Sequence, residues 1–195
     1  MRFKFHSFFV FSLILLSFGG TQLRAEDLVS DRGLVWGANL GPSLFYDDQL
    51  FARESDFSVG LGVDLFAGAA FNDRFALLAF VDLHWAREDV GSAVVEVINL
   101  FMGPVGHYFF NDQWSMQAGP GFVLHLSKAE VDLSYVTEVG RDRGGFGALL
   151  GLGYEFMRTA PYSIGASLQF LPQWFRPSDG GFSYIVAGGL GLSWY

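Results

Sequence analysis

Apolar side chains alternate with small or polar ones over most of this chain, from about residue 34 to the last residues. A repeat of two residues is typical of β-strands whose two faces meet different surroundings. The alternation holds through eight segments, which cover 34–46, 57–71, 75–85, 98–110, 114–126, 146–156, 162–174 and 182–194. No charged residue falls on the apolar face of any of these segments. The pattern therefore predicts eight strands.

The second face of each predicted strand carries Gly, Ser, Asn, Gln and a few acids rather than Lys and Glu. A soluble sandwich would turn Lys and Glu toward water, so this small-residue face is more typical of an enclosed interior. An Arg or Lys on a lipid-facing surface at mid-bilayer costs about 2–4 kcal/mol, which explains why the apolar faces lack charge. The sequence predicts an all-β fold, an eight-stranded antiparallel transmembrane up-and-down β-barrel.

The predicted connections differ in length on the two sides of this barrel. Short turns are expected at 72–74, 111–113 and 157–161, whereas 47–56, 86–97, 127–144 and 175–181 are longer and hold most of the charges. Outer-membrane barrels have short periplasmic turns and longer outer loops. Because the number of strands is even, both chain ends are expected in the periplasm.

Aromatic residues concentrate where the predicted strands end. Tyr and Trp favour the interface between membrane and water, so we predict an aromatic girdle at each boundary. The girdles would comprise Tyr46, Phe57, Phe75, Trp85, Phe110, Trp114, Phe156, Tyr162, Trp174, Phe182 and Trp194.

The first 25 residues have the layout of a secretory signal peptide. Arg2 and Lys4 precede an apolar run over 8–18, and Ala25 ends a cleavage site. We predict a signal peptide at 1–25 and a barrel domain at 26–195. A retained membrane anchor is the alternative, although the run is shorter than the roughly 20 residues that a spanning helix needs.

Composition narrows the function classes. The hydrophobic fraction is 51%, only 16% of residues are charged, and there is no Cys, which excludes disulfide frameworks, thiol enzymes and Cys-ligated zinc. Cleavage after Ala25 removes three basic residues and no acidic one, so the net charge falls from −8 to −11. This balance disfavours nucleic acid as a partner. No EF-hand, P-loop or zinc motif is present, so neither a metal site nor a cofactor is expected.

Eight strands enclose a lumen just wide enough for their own side chains, so we expect a plugged interior. A narrow path for small hydrophobic molecules is the alternative. The predicted interior polar network consists of Asp64, Asp82, His84, His107, Gln117, His125 and Glu155.

Asp64 and Asp82 have a particular relation within this network. If 72–74 is a three-residue hairpin loop, Phe71 pairs with Phe75 and the two carboxylates face each other. Like charges directly opposite repel, so the pair would share a proton or bind an ion. An ordinary hydrogen-bonded network with water is the other interpretation.

Three short motifs accompany the eight alternating strands: NLGP at 39–42, GPVGHYFF at 103–110 and GLGLSWY at 189–195. With them, residues 32–195 resemble the small eight-stranded outer-membrane barrels, the OmpA/OmpX/OmpW-like superfamily often called porin-family proteins. The resemblance implies a bacterial outer-membrane location, contact with outer-membrane lipids and lipopolysaccharide, and insertion by the barrel-assembly machinery. That machinery reads a terminal aromatic residue, yet here Trp194, not the final Tyr195, continues the lipid-facing register.

His125 and Ser127 resemble the His and Ser of outer-membrane lipid A 3-O-deacylases, with Glu130 or Glu138 as the acid. Lys128 replaces that family's Asn, and the pair points inward, away from lipid. We therefore expect a non-enzymatic structural or surface-interaction role, with a narrow channel as the first alternative and a lipid A hydrolase as the second. The loop 127–144 keeps alternating, so a surface partner is expected there.

Overall fold

The computed structural model describes residues 33–47, 57–90, 93–131, 139–159, 161–176 and 181–195. The predicted signal peptide at 1–25 lies outside these residues. Eight β-strands account for nearly all of them: β1 (Leu34–Asp47), β2 (Ser58–Asn72), β3 (Phe75–Val90), β4 (Ala93–Phe109), β5 (Trp114–Val131), β6 (Val139–Thr159), β7 (Tyr162–Phe175) and β8 (Phe182–Trp194).

The strands form one closed antiparallel barrel. Each strand pairs with the next in the chain, and β1 pairs with β8 to complete the ring. The predicted fold class is therefore confirmed. Among the described residues, no helix has the length and apolar character needed to cross a membrane.

The two-residue alternation becomes an outward and an inward face. Outward Leu40 is 55% exposed and Phe146 is 64% exposed in the isolated barrel, whereas inward Phe101 and Leu149 are fully buried. An apolar outer wall of this kind is stable only when acyl chains cover it. Closure matters for the same reason, because hydrocarbon offers no hydrogen-bond partner to an open strand edge.

Two hairpins on the short-turn side of the barrel, the side expected to face the periplasm, are each closed by an asparagine side chain. The Asn72 side-chain oxygen accepts hydrogen bonds from the backbone N–H groups of Arg74 (2.9 Å) and Phe75 (3.0 Å). The Asn111 side-chain oxygen likewise accepts hydrogen bonds from the backbone N–H groups of Gln113 (2.9 Å) and Trp114 (2.8 Å), where β5 begins. Such Asx turns supply locally the hydrogen bonds that the ladder lacks at its end.

The first of these hairpins corrects one prediction. Asn72, not Phe71, pairs with Phe75, and the register shifts between Ala70 and Asn72. The turn is thus two residues long, with a β-bulge at Phe71, because the Asn72 side chain closes it more tightly than a three-residue loop. Above the bulge the register is the one expected, and Asp64 pairs with Asp82.

The outer connections also differ from those predicted. Residues 86–97 were expected to form a loop, but β3 and β4 run on until Val90 pairs with Ala93. Similarly, β5 and β6 extend into 127–144 and continue to pair. Charged residues on the outward face end the lipid-facing pattern there. Strand pairing needs only the backbone, so the sheet continues past the point where that pattern stops.

Inward glycines make room for the large rings of neighbouring strands. An ideal Cβ on Gly121 would lie 2.5 Å from the Phe101 ring and 2.6 Å from the Met102 carbonyl oxygen. The Phe101 ring therefore fills the space where a side chain at residue 121 would sit. Large inward rings and inward glycines on adjacent strands are thus parts of the same packing.

We expect Gly121→Ala to lower the free energy of unfolding by about 1–3 kcal/mol, because the added methyl overpacks a closed interior. Urea unfolding of the barrel in detergent micelles measures this. Gly144→Ala is the matched control, since its Cβ meets nothing within 4 Å. Equal losses in the two variants would contradict the packing described here.

Candidate functional site

The barrel interior is filled by apolar rings and by three clusters of polar side chains. Inward Phe66, Phe80, Phe101 and Leu149 are between 0% and 6% exposed. Polar groups occupy the remaining space. Because buried polar groups are stable only when bonded or paired, the partners of each group show what it can do.

The middle cluster contains the two facing carboxylates. Asp64 Oδ2 accepts hydrogen bonds from Asn39 Nδ2 at 3.0 Å and from Gln169 Nε2 at 2.6 Å. Asp82 Oδ2 lies 2.8 Å from His84 Nε2. Asp82 and His84 are 0% exposed and Asp64 is 5% exposed. The cluster is therefore sequestered from bulk water.

The outer cluster joins β1, β5 and β6 across the lumen. Asp47 and Arg143 form a buried ion pair, and the Arg143 guanidinium lies over the Phe175 ring at 4.7 Å. His125 Nε2 lies 3.8 Å from the Asp47 carboxylate. A planar guanidinium bound to a carboxylate and stacked on a ring is held in one orientation, so it has a fixed place inside this end of the lumen.

An amide pair lies beside this ion pair. Asn99 and Gln173 exchange two side-chain hydrogen bonds, at 2.8 and 2.9 Å, across β4 and β7. Ser183 donates to the same Gln173 oxygen at 3.1 Å. His125 Nδ1 lies 3.3 Å from Asn99 Nδ2, which links the amides to the outer cluster.

The periplasmic cluster contains Glu155, Arg158 and Tyr195. The Tyr195 hydroxyl donates to Glu155, and Arg158 lies 3.6 Å from the other carboxylate oxygen. The Arg158 guanidinium also lies 5.1 Å from the Tyr195 ring centroid. Trp194 faces outward and stacks on Trp36 at 5.0 Å, so the final two residues point to opposite faces.

The structure buries all seven residues of the predicted interior network, but it divides them among separate clusters. Asp64, Asp82 and His84 lie together in the middle, His125 in the outer cluster and Glu155 in the periplasmic one. His107 stacks on Phe109 at 4.4 Å near the periplasmic end. Gln117 of β5 is the strand-pairing partner of His107 of β4. That these groups form a functional site stays a prediction.

Ten of the eleven predicted girdle residues lie at or near strand ends, whereas Trp85 does not, because β3 continues five residues beyond it to Val90. Most are well exposed, from 36% for Phe182 to 50% for Trp174 and Phe110. Tyr46, Phe156, Tyr162 and Trp194 are only half-buried. Phe156 lies at a second bulge, between Glu155 and Met157, and Met157 is 48% exposed. Contact of these residues with the membrane interface stays a prediction.

Several site residues were not identified from the sequence. Asp47 and Arg143 fell within predicted loops, yet both point inward from strands and pair with each other. Odd-numbered residues of β1 and of this part of β6 point inward, and both positions are odd-numbered. Continuing that alternation past the predicted strand ends would have placed both side chains in the lumen. The partnership of Asn99 with Gln173 had no local signal, because it joins residues from distant parts of the chain.

A small cavity, with room for about one water-sized occupant, lies in the wall and interior next to Asp64. Asn39, Ser167 and Gln169 contribute polar side chains, and the rest of its boundary is formed by glycines of β1, β2 and β8 together with Leu40 and Ala187. In the described part of the chain, no group of three or more His, Asp or Glu side chains could hold a metal ion.

Solved structures of bacterial surface and outer-membrane proteins share this architecture. Neisserial surface protein A matches with a TM-score of 0.57 and 12% identity, over 85% of this chain and 99% of its own. The attachment invasion locus protein Ail of Yersinia pestis gives 0.56 and 12%, over 84% and 99%. OprG from Pseudomonas aeruginosa gives 0.53 and 14%, over 87% and 100%.

The chain has the fold of the small eight-stranded outer-membrane barrels. No family model matches the sequence. No curated protein sequence is significantly similar to it. The similarity to these barrels therefore concerns the fold alone. Any conclusion about activity has to be drawn from the individual side chains of this chain.

His125 and Ser127 give no support to a hydrolase within this barrel fold. Both are buried, at 2% and 7% exposure, and both point into the lumen. The His125 ring packs edge-on against Phe175 at 5.8 Å and bonds to Asn99. The candidate acids Glu130 and Glu138 lie outside the described side chains. The closed wall of the barrel separates this pair from lipid outside it.

We expect Arg143→Met to lower the free energy of unfolding by about 3–5 kcal/mol, because it leaves the Asp47 carboxylate buried without its guanidinium. Adding Asp47→Asn to this variant should recover part of the loss. Urea titrations of the wild type, both single variants and the double variant in detergent micelles measure the coupling. Additive losses would show that the two side chains do not stabilise each other.

Proposed function

We propose that this chain is a non-enzymatic bacterial outer-membrane barrel that binds a partner at the cell surface through its projecting strands. It would be exported by the signal peptide at 1–25 and inserted by the barrel-assembly machinery. Lipopolysaccharide and outer-membrane lipids would cover its apolar wall. The observation that carries the proposal is the unequal height of the strands.

Strands β3 to β6 continue past their neighbours on the outer side. Gly145 of β6 pairs with Phe175 at the end of β7, whereas residues 139–144 pair only with β5 within the part of the chain that the structure describes. On the other side, Ala86 of β3 is the last residue paired with β2, and β3 continues to Val90. At about 3.3 Å per residue, the β6 extension is about 20 Å long.

The β6 extension presents backbone groups on its β7 side. The Trp174 carbonyl oxygen points toward β6, since it lies 2.4 Å from the position that a Cβ on Gly145 would occupy. It therefore accepts a hydrogen bond from the backbone N–H of Phe146, the residue that pairs with Trp174. Backbone N–H groups alternate between the two sides of a strand. The N–H of Gly144 therefore points to the same side, where the described part of β7 has already ended. A partner strand can add to such an edge.

The filled lumen supports a surface role over transport. Phe80, Phe101 and Leu149 are fully buried inside the barrel, and the buried Asp47–Arg143 pair lies across its outer end. A hydrophobic solute would have to displace these groups together. Among the neighbours, Ail is named for attachment and invasion and has been crystallised with a heparin analogue. This chain is acidic, so we infer a protein strand rather than a sulfated ligand.

We expect the purified barrel to give no single-channel conductance in planar lipid bilayers, because its lumen is occluded at several levels. A general porin reconstituted in the same bilayers provides the positive control. Discrete conductance steps from the wild-type chain would overturn the surface role in favour of a channel.

We expect wild-type barrel on a non-adherent bacterial host to raise adherence to an epithelial monolayer, and Gly144→Pro to lower it several-fold. Proline removes the edge N–H without disturbing the ladder to β5. Gly144→Ala keeps the N–H and should adhere like the wild type at matched surface levels. Equal adherence of all three chains would exclude the β6 edge, and no adherence above the empty host would overturn the surface role.

A further inference from the structure

We propose that the middle cluster binds one small monovalent cation, such as Na⁺, in the cavity beside Asp64. Three observations carry this inference: the charge imbalance of the cluster, the unpartnered oxygens near the cavity, and the size and position of the cavity. The proposal concerns the barrel interior and is independent of any surface partner.

The middle cluster differs from the other two in its charge. In the outer cluster Arg143 pairs with Asp47, and in the periplasmic cluster Arg158 lies beside Glu155. The middle cluster has two carboxylates and, among the described residues bonded to it, only amides and one imidazole. Two like charges enclosed in a barrel within a bilayer must be compensated, either by protonation or by a bound cation.

Polar atoms without a partner lie where such a cation would bind. Gln169 is 2% exposed and lines the cavity, and its Oε1 has no hydrogen-bond partner. Both amide donors to Asp64 use Oδ2, and the Asp64 side chain also lies within hydrogen-bonding reach of Asp82, so the two carboxyl groups adjoin each other beside the cavity. Asp82 Oδ1, across the strand pair, also lacks a hydrogen-bond partner. Carboxylate and amide oxygens are the ligands that hard cations prefer.

The cavity is formed at an irregular place in the wall. Pairing of β1 with β8 is absent at Gly41 and Pro42, and proline has no N–H for the ladder. Gly41, Gly188 and Gly189 line the cavity at this point, and none has a side chain to fill it. The space that remains admits about one water-sized occupant, which suits a dehydrated small cation and excludes a bulky organic one.

The test compares the stability of the intact barrel in Na⁺ and in choline at equal ionic strength. The protein is refolded from urea into detergent micelles in each salt, because the occluded interior slows exchange. Wild-type protein should be stabilised by Na⁺ in a saturable manner. At ten times the dissociation constant, the ratio of folded to unfolded protein should rise about 11-fold over choline.

Two variants and a control locate the effect. Asp64→Asn should abolish the Na⁺ dependence, and Gln169→Leu should weaken it while leaving both carboxylates in place. His107→Gln alters another buried interior residue outside the cluster and should keep the full dependence. If Asp64→Asn does not fold, Gln169→Leu and the ²³Na line width of the wild type provide the same test.

Equal stability of the wild type in Na⁺ and choline would overturn the proposal and indicate that protons alone neutralise the carboxylates. Na⁺ dependence that persists in both Asp64→Asn and Gln169→Leu would also overturn it, since the ion would then bind elsewhere.

Discussion

Closure of the backbone ladder is the constraint on which the rest of this structure depends. Hydrocarbon provides no hydrogen-bond partners, so every strand in the bilayer must pair on both edges. The ring is completed where β1 meets β8, the two strands farthest apart in the chain. Outward aromatic stacks reinforce both ends of this seam. Trp36 stacks on Trp194 near the periplasm, and Tyr46 stacks on Tyr184 at 4.7 Å near the outer side.

Closure also determines the character of the interior. Eight strands leave a lumen that side chains can fill, and this chain fills it with rings that lie against glycines and with bonded polar groups. The polar groups are not spread evenly along the axis. Arginine–carboxylate pairs occupy the outer and periplasmic clusters, whereas two carboxylates share the middle one. The electrostatic asymmetry of the interior is therefore concentrated around Asp64 and Asp82.

Much of the fold was predictable because alternation is a local property. A residue's parity decides its face, and parity alone placed Asp64, Asp82, His84 and His125 inside. Errors arose where a local rule stopped applying. The side chain of Asn72 tightened a hairpin and moved the pairing of Phe75 by one residue. Outward charged residues such as Arg87 and Glu96 are typical of a loop, so the sequence pattern predicted one there, although β3 and β4 continue through both positions.

The sequence by itself determined eight two-faced strands, the face on which most of their residues lie and the facing of Asp64 with Asp82, because these follow from the pleat and from a short turn. Only the tertiary structure decided which inward side chains meet across the lumen. The contacts of Asp47 with Arg143, of Gln169 with Asp64 and of Tyr195 with Glu155 depend on the stagger of the closed ring. That stagger is a property of all eight strands together, so no segment of the sequence specifies it alone.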